Sequence, residues 1–325
     1  MKKHLLLFSL LYISIFAYSQ QEPQYTQNMF NILSFNPAYA GTNGAICLTG
    51  FYRQQYTGFK QEDKQGNKSN AGPQDILVSL DAPVRFLHGG IGLIVNQDKL
   101  GFETNLNLKL AYAYRFNLGL GSFSLGLQAG FNNKSIDFSK FKPGDELSGG
   151  STTDPVILNG QSGTQSDMIT DISFGAFYKI PQKLYAGIST TQIIQASGTK
   201  TGVALKRHYF LQGGYDWAFP SNPSFELLPS AMIKTDFVSA QYDIDVLLRY
   251  NNRFWGGLGY RVQDAVMIIL GMEWRNFNIG YSYDLTTSAL GSNSRSSGTH
   301  EIMLRYCFKI EIPHTVRSYK NTRFL

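Results

Sequence analysis

The feature that most restricts this chain is a period-two alternation of apolar with polar or charged residues, repeated along most of its length. In the stretch 299–310, THEIMLRYCFKI, Ile302, Leu304, Tyr306 and Phe308 alternate with Glu301, Met303, Arg305 and Lys309. Successive side chains of a strand point to opposite faces, so such a segment separates an apolar environment from a polar one. A soluble sandwich and a barrel in lipid both satisfy one strand of this kind. The number of strands and the way they are joined decide between them.

The alternation rule finds about fourteen strands: near 44–56, 73–84, 89–97, 102–117, 120–132, 168–180, 182–192, 204–219, 224–235, 240–250, 253–262, 265–275, 277–285 and 299–310. Most reach the roughly nine to eleven residues that a tilted strand needs to cross a bilayer. An even count puts both ends of the wall on one side, the periplasmic side for an outer-membrane barrel. The even-numbered connections are all tight: 85–88, 118–120, Pro181, 220–223, 251–252 and Asn276. The long ones, 57–72, 133–167, 193–203 and 286–298, all fall on the odd side. Short periplasmic turns with longer outer loops are the pattern of such barrels, and a sandwich has no reason to sort its loops this way.

Aromatic residues close the strands that run toward the tight turns: Tyr114 and Phe116, Tyr215, Trp217 and Phe219, Tyr250, Trp274, Tyr306 and Phe308. Placed outward they form an interfacial girdle. Within strands, Leu106, Leu108, Leu110, Tyr112 and Tyr114 share one face, with Glu103, Asn105, Asn107, Lys109 and Arg115 on the other. Likewise Tyr242, Ile244, Val246, Leu248 and Tyr250 oppose Asp243, Asp245 and Arg249. Unpaired charges of both signs are prohibitive in a sandwich core and cost little in a hydrated lumen. The inward positions read as mostly Gly, Ser, Asn and charges. Pro229 lacks a ladder donor inside a predicted strand, so a bulge or bend is expected there.

The fold class is therefore all-β, a transmembrane antiparallel β-barrel of about fourteen strands with both termini periplasmic. Residues 1–19, with Lys2, Lys3 and His4 before the apolar run Leu5–Ala17, read as a Sec signal peptide cut near Ser19. No Cys follows that cut, which argues against a lipoprotein. Residues 44–310 are the barrel and 311–325 a periplasmic tail. The segment 20–43 is too apolar for a free tail, carrying Tyr25, Met29, Phe30, Ile32, Leu33 and Phe35. It is expected to pack in or across the barrel's lower opening as a plug, its NPAYAG run turning the chain just before the first strand.

Enzyme chemistry finds no foothold. His88, His208, His300 and His314 have no metal-ligand spacing, and Gly-Thr-Lys-Thr-Gly at 198–202 is not a phosphate-binding loop. Asp243 and Asp245 read as lumen charges opposed by Arg249 and neighbouring basic residues rather than as an acid–base pair. No catalytic residue, cofactor or metal is expected. The pI near 9.1 comes from singly scattered Lys and Arg, so no nucleic-acid partner is expected either. Cys47 and Cys307 lie on the two strands that must pair to close the barrel, both lumen-facing and toward the periplasmic end; a closure disulfide and two reduced thiols both fit. The Gly- and Ser-rich part of 133–167 reads equally as a mobile loop and as a surface for an extracellular partner.

Three stretches carry a resemblance: NPAYAG at Asn36, Pro37, Ala38, Tyr39, Ala40 and Gly41; YRQQ at Tyr52, Arg53, Gln54 and Gln55; and SYD with HEI at Ser282, Tyr283, Asp284, His300, Glu301 and Ile302. With the closing RFL they make the chain resemble the PorP/SprF family of Bacteroidetes outer-membrane proteins, itself similar to FadL-type fourteen-strand barrels. The resemblance implies a non-enzymatic role in type IX protein secretion and gliding motility, supporting export or cell-surface attachment of large adhesins. The implied partners are outer-membrane lipid, the C-terminal domain of a type IX secreted adhesin, and periplasmic secretion or motility components. The matched positions are candidates for partner or plug contacts, or mark folding and closure. The alternative function is a FadL-like channel for small hydrophobic solutes.

Overall fold

The computed structural model describes residues 22–62, 68–140, 163–288, 291 and 296–309. The expected signal peptide, the Gly- and Ser-rich part of the 133–167 loop and the tail 311–325 lie outside the described residues. Fourteen antiparallel strands close into a barrel. They are β1 (Ala45–Gln54), β2 (Gln74–Val84), β3 (Gly89–Leu100), β4 (Glu103–Leu118), β5 (Gly121–Asp137), β6 (Thr164–Ile180) and β7 (Leu184–Thr191). The second half is β8 (His208–Tyr215), β9 (Asn222–Thr235), β10 (Ala240–Tyr250), β11 (Phe254–Arg261), β12 (Ala265–Trp274), β13 (Phe277–Thr286) and β14 (Thr299–Lys309). Each strand pairs with its neighbours in sequence, and β14 returns to β1 with Cys47 opposite Cys307.

Every predicted segment holds one wall strand, although β8 begins at His208 rather than near 204 and β5 and β6 run several residues higher than the alternation suggested. The tight connections have the backbone that a short reversal demands. Asn251 and Asn252 both take positive φ, 51° and 53°, and the N–H of Arg253 donates to the Tyr250 carbonyl at 3.0 Å, a tight turn within the three-residue connection of β10 and β11. The long connections all lie at the opposite end; one carries a small hairpin, Lys60–Glu62 with Lys68–Asn70. We refer to the two ends as the turn end and the loop end.

The outer wall is apolar in a band: Leu110 is 65% exposed, Leu106, Leu108 and Leu127 are exposed on the same and the next strand, and Leu258 and Leu270 on β11 and β12. A continuous surface of this kind is stable only against lipid. At the turn end the aromatic side chains touch each other, Phe225 with Tyr250 at 4.8 Å and Tyr306 with both Phe277 and Phe308 at 4.4 Å between ring centres.

Pro229 does not bend its own strand. It stays in register opposite Val246, with no slip along β9 and β10. The interruption falls on the neighbour instead: β8 stops at Tyr215, Asp216 is skipped, and pairing with β9 resumes at Trp217–Phe219, where the register slips between Ala218 and Phe219. A residue without N–H leaves one ladder position unfilled, and the strand facing it yields.

The interior is not a water-filled bore. Residues 22–44 run along the lumen from the loop end to the turn end before entering β1, reaching beyond the lower opening in or across which the sequence placed the segment. Glu22 meets Thr191 and Gln192 at the loop end, and Gly41 meets Asp81 at the turn end. Between them the segment forms two short 3-10 turns, Asn28–Phe30 and Pro37–Tyr39, around a single helical turn, Ile32–Phe35. Tyr25, Ile32, Leu33, Phe35, Ala38, Tyr39 and Ala40 form one hydrophobic core with inward wall residues including Phe51, Leu77, Ile94, Phe177, Phe210, Leu247 and Met303. The inward face is thus more apolar than expected, and its apolar side chains are spent on the threaded segment.

Candidate functional site

The most ordered polar chemistry lies where the segment crosses the seam between β13, β14 and β1. Alternation sends Arg53, Asp284 and Glu301 inward from these three strands, and the register sets Arg53 opposite Glu301. The Arg53 guanidinium spans both carboxylates, at 2.8 Å to Asp284 and 2.9 Å to Glu301, with all three side chains at most 2% exposed. Thr26 fits into this trio. Its hydroxyl receives a hydrogen bond from Arg53 at 2.7 Å and lies 2.7 and 2.8 Å from the two oxygens of Asp284. The N–H groups of Thr26 and Gln27 each donate to a different oxygen of Glu301 at 2.8 Å.

A second arginine extends the cluster. Arg261, from β11, lies 3.1 Å from Asp243 and 3.5 Å from Asp284, and donates to the carbonyl of Tyr25 at 3.3 Å. On the other flank Asn96 donates to the Tyr25 hydroxyl at 3.0 Å and to Asp75 at 2.7 Å, and that hydroxyl also bonds Asp75. The charges of Arg53, Arg261, Asp243, Asp284 and Glu301 are tolerable at this depth because each is paired and hydrogen-bonded, while Asp75 is held by the hydrogen bonds of Tyr25 and Asn96. Of the basic residues expected to oppose Asp243 and Asp245, the neighbouring Arg261 meets Asp243, whereas Arg249 pairs with Glu226 near the turn end.

The NPAYAG run docks lower down. The Asn36 carboxamide accepts from the N–H of Ala38 at 3.0 Å, capping the Pro37–Tyr39 turn, and donates to the carbonyl of Ala176 at 3.0 Å on β6. Pro37 suits the first position of such a turn, where no N–H is needed. The wall makes room with glycine: a methyl group at Gly126 would stand 2.1 Å from the Ala38 nitrogen, and one at Gly175 2.1 Å from the Asn36 carboxamide oxygen. Tyr39 packs edge-on against Phe177 at 5.4 Å and its hydroxyl accepts from Arg305 at 3.4 Å. Arg115 then binds the carbonyls of Ala40 and Gly41 at 2.8 and 3.0 Å. Gly41, at φ 68°, lets the chain turn away toward β1.

The candidate residues therefore divide by face. Asn36, Pro37, Ala38, Tyr39, Gly41, Arg53, Asp284 and Glu301 meet inside the barrel. Tyr52, Gln54, Tyr283 and His300 alternate with them and lie on the outer wall, where the rings of Tyr283 and His300 are 5.0 Å apart and Tyr281 bonds His300 at 2.8 Å. Cys47 and Cys307 are joined by a disulfide across the seam. Sequence reading missed Thr26, Gln27, Asp75, Asn96 and Arg261. The signal available was the inward parity of the last three and the polar QYTQN start of an otherwise apolar segment. Above Glu22, Pro23 and Gln24 the lumen opens into a cup of about 710 Å³ at the loop end.

Among curated proteins none matches this chain. Solved structures that it resembles include an Acinetobacter baumannii outer membrane protein, at 7% identity over 81% of this chain and 98% of that one, with a TM-score of 0.45. A mutant of the monoaromatic hydrocarbon channel TodX matches at 11% identity, over 86% and 94% of the two chains, with a TM-score of 0.48. A Pseudomonas aeruginosa FadL homologue matches at 12% identity, over 85% and 93%, with a TM-score of 0.41. The profile of the type IX secretion system membrane protein PorP/SprF matches residues 17–306. Spanning wall and threaded segment together, that match shows that the chain belongs to the PorP/SprF family.

Proposed function

We propose that this barrel is a non-enzymatic outer-membrane component of type IX secretion that supports export or surface attachment of large adhesins by binding other proteins. Its proposed partners are the C-terminal domain of a secreted adhesin on the loop side and periplasmic machine components on the turn side. The observation that carries the reading is the segment fastened along the lumen by the buried Arg53–Asp284–Glu301 cluster. A lumen filled by the chain's own residues offers surfaces, not a route. It disfavours the hydrophobic-solute channel, because the inward apolar side chains pack on Tyr25, Leu33 and Phe35 instead of lining an open tunnel.

The test compares the surface proteome and solute uptake of cells with and without the gene. Loss of one or a few large adhesins from the surface, with normal growth on fatty acids, is expected. An unchanged surface proteome with impaired uptake of a hydrophobic compound would reverse the reading.

A further inference from the structure

We propose that the loop end of the lumen holds a calcium site built from Glu22, Asp98, Asn105, Asn132 and Gln192. The site stands whether or not the barrel serves secretion. Beside the floor of the outer cup lies a smaller cavity of about 20 Å³, room for one ion or one water molecule, and all five residues line it. Strand register assembles three of them. Asp98 on β3 stands opposite Asn105 on β4, and Asn132 on β5 stands opposite Asn107, the next inward residue of β4. Gln192 follows β7 directly, and Glu22 comes from the threaded segment.

Two independent observations point to a cation. First, the amide oxygens of Asn105, Asn132 and Gln192 have no hydrogen-bond partner, although these residues are only 8%, 7% and 5% exposed. Two of the amides are fixed in that orientation: the Asn105 nitrogen donates to Glu103 at 2.8 Å and the Gln192 nitrogen to Glu22 at 2.9 Å, so a flipped amide would set oxygen against carboxylate. A bare buried acceptor is costly, and one cation relieves three around the same cavity. Second, Glu22 and Asp98 accept hydrogen bonds only from neutral groups, Thr191 and Gln192 for the one and Asn105 for the other, and neither forms an ion pair among the described residues. The nearby ammonium groups are committed elsewhere. Lys134 lies 2.6 Å from Glu103, Lys109 lies 2.7 Å from Asp171, and Lys234 donates to the Glu22 carbonyl at 3.0 Å. A water molecule, with two protons to give, answers neither three amide oxygens nor the carboxylate charge.

The donor set selects the metal. Two carboxylates and three amides offer oxygen alone, without the thiolate or imidazole that zinc and copper favour. Calcium takes six to eight oxygens in flexible geometry, and water from the cup completes the set; magnesium asks for a tighter octahedron and keeps its own waters. Glu22, Asp98 and Asn105 also line the cup, which gives the ion its way in from the loop side. With only two charged ligands the affinity falls at about 0.1–1 mM, the range of extracellular calcium modules. Glu22 belongs to the segment and the other ligands to the barrel, so the bound ion fastens the segment at its upper end.

The test is isothermal titration of CaCl2 into the full-length barrel, refolded in detergent free of lipopolysaccharide, which binds calcium itself. One Ca2+ per barrel is expected at about 0.1–1 mM, with MgCl2 at least about tenfold weaker. Asp98→Asn and Glu22→Gln should each weaken calcium at least about tenfold, whereas Glu273→Gln, at an exposed carboxylate near the turn end, should not. Calcium at about ten times its dissociation constant should multiply the docked-to-undocked ratio of the segment about tenfold, read as a higher temperature of gel-detected unfolding that Asp98→Asn does not show. Retarded migration in unheated detergent gels verifies that each variant is folded. The site is overturned by the absence of saturable binding up to about 10 mM, by equal affinity for magnesium, or by binding that both folded variants leave unchanged.

Discussion

Arg53→Met is the sharpest single test of what holds the lumen shut. The substitution keeps a long side chain and removes both ion pairs, at 2.8 and 2.9 Å, together with the hydrogen bond to Thr26. Asp284 and Glu301 are then left buried without their main cation. Breaking a buried pair by deleting one partner costs about 3–5 kcal/mol, and salt screens such a pair weakly. Compensation is partial here. Arg261 still stands 3.5 Å from Asp284, and Glu301 keeps the two N–H bonds from Thr26 and Gln27. The lower figure, about 3 kcal/mol, is therefore the working value, equivalent to roughly a hundredfold in the docked-to-undocked ratio of the segment.

The assay is single-channel recording in planar bilayers, scoring the fraction of time spent in a large-conductance state. The wild type should be nearly always closed, and Arg53→Met should raise the open fraction about a hundredfold. The triple variant Arg53→Met, Asp284→Asn, Glu301→Gln should recover part of the closure, because it leaves no orphaned charge. An open fraction in folded Arg53→Met within threefold of wild type would refute the claim that the ion cluster holds the segment.

Further outcomes follow from the same contacts. Deleting residues 22–41 should leave a wall that still inserts and conducts steadily; equal conductance in the deleted and full-length proteins would dispose of the plug. Gly126→Ala forces a methyl to 2.1 Å from the Ala38 nitrogen, and a clash with backbone should lower the temperature of gel-detected unfolding, at a cost of about 1–3 kcal/mol. Replacing Cys47 and Cys307 by Ser opens a covalent link 260 residues apart in sequence, which chain entropy values at about 5 kcal/mol, read as lowered heat resistance matching that of reduced wild type. Free thiols at both positions in unreduced peptide mass spectra would remove that prediction. An epitope at Gly291 should be labelled on intact cells and one after Leu325 should not; the reverse would invert the topology.

The wall was legible because a barrel repeats one local rule. Each strand announces itself by parity, each turn by its length, and the girdle by aromatics at one end, so β1 to β14 needed no long-range information. The lumen needed it everywhere. Strand register decides which inward arginine meets Asp243: Arg261 stands directly opposite it on β11, while Arg249, closer in sequence, is claimed by Glu226, directly opposite on β9. Phe51, Leu77 and Phe177 are inward against the polar expectation because the segment gives them something dry to pack on. A strand read by itself does not reveal that a second layer of chain lies behind it.

The same parity explains what the shared motifs mean. A motif in a helix or loop often converges on one place, but consecutive residues in a barrel wall are divided between lipid and lumen. Arg53 inside and Tyr52 and Gln54 outside therefore answer to different constraints, as do Asp284 and Tyr283, or Glu301 and His300. The inward members form one unit with Thr26 and Gln27. Their joint role makes β1, β13 and β14 hold the segment at the seam where the barrel closes, the seam that Cys47–Cys307 also ties. Closure of the wall and closure of the lumen are thus fastened by the same three strands. A weakness in either is expected in both measurements: Arg53→Met should lower heat resistance as well as raise conductance, whereas a variant on the outer face such as Tyr52→Phe should change neither.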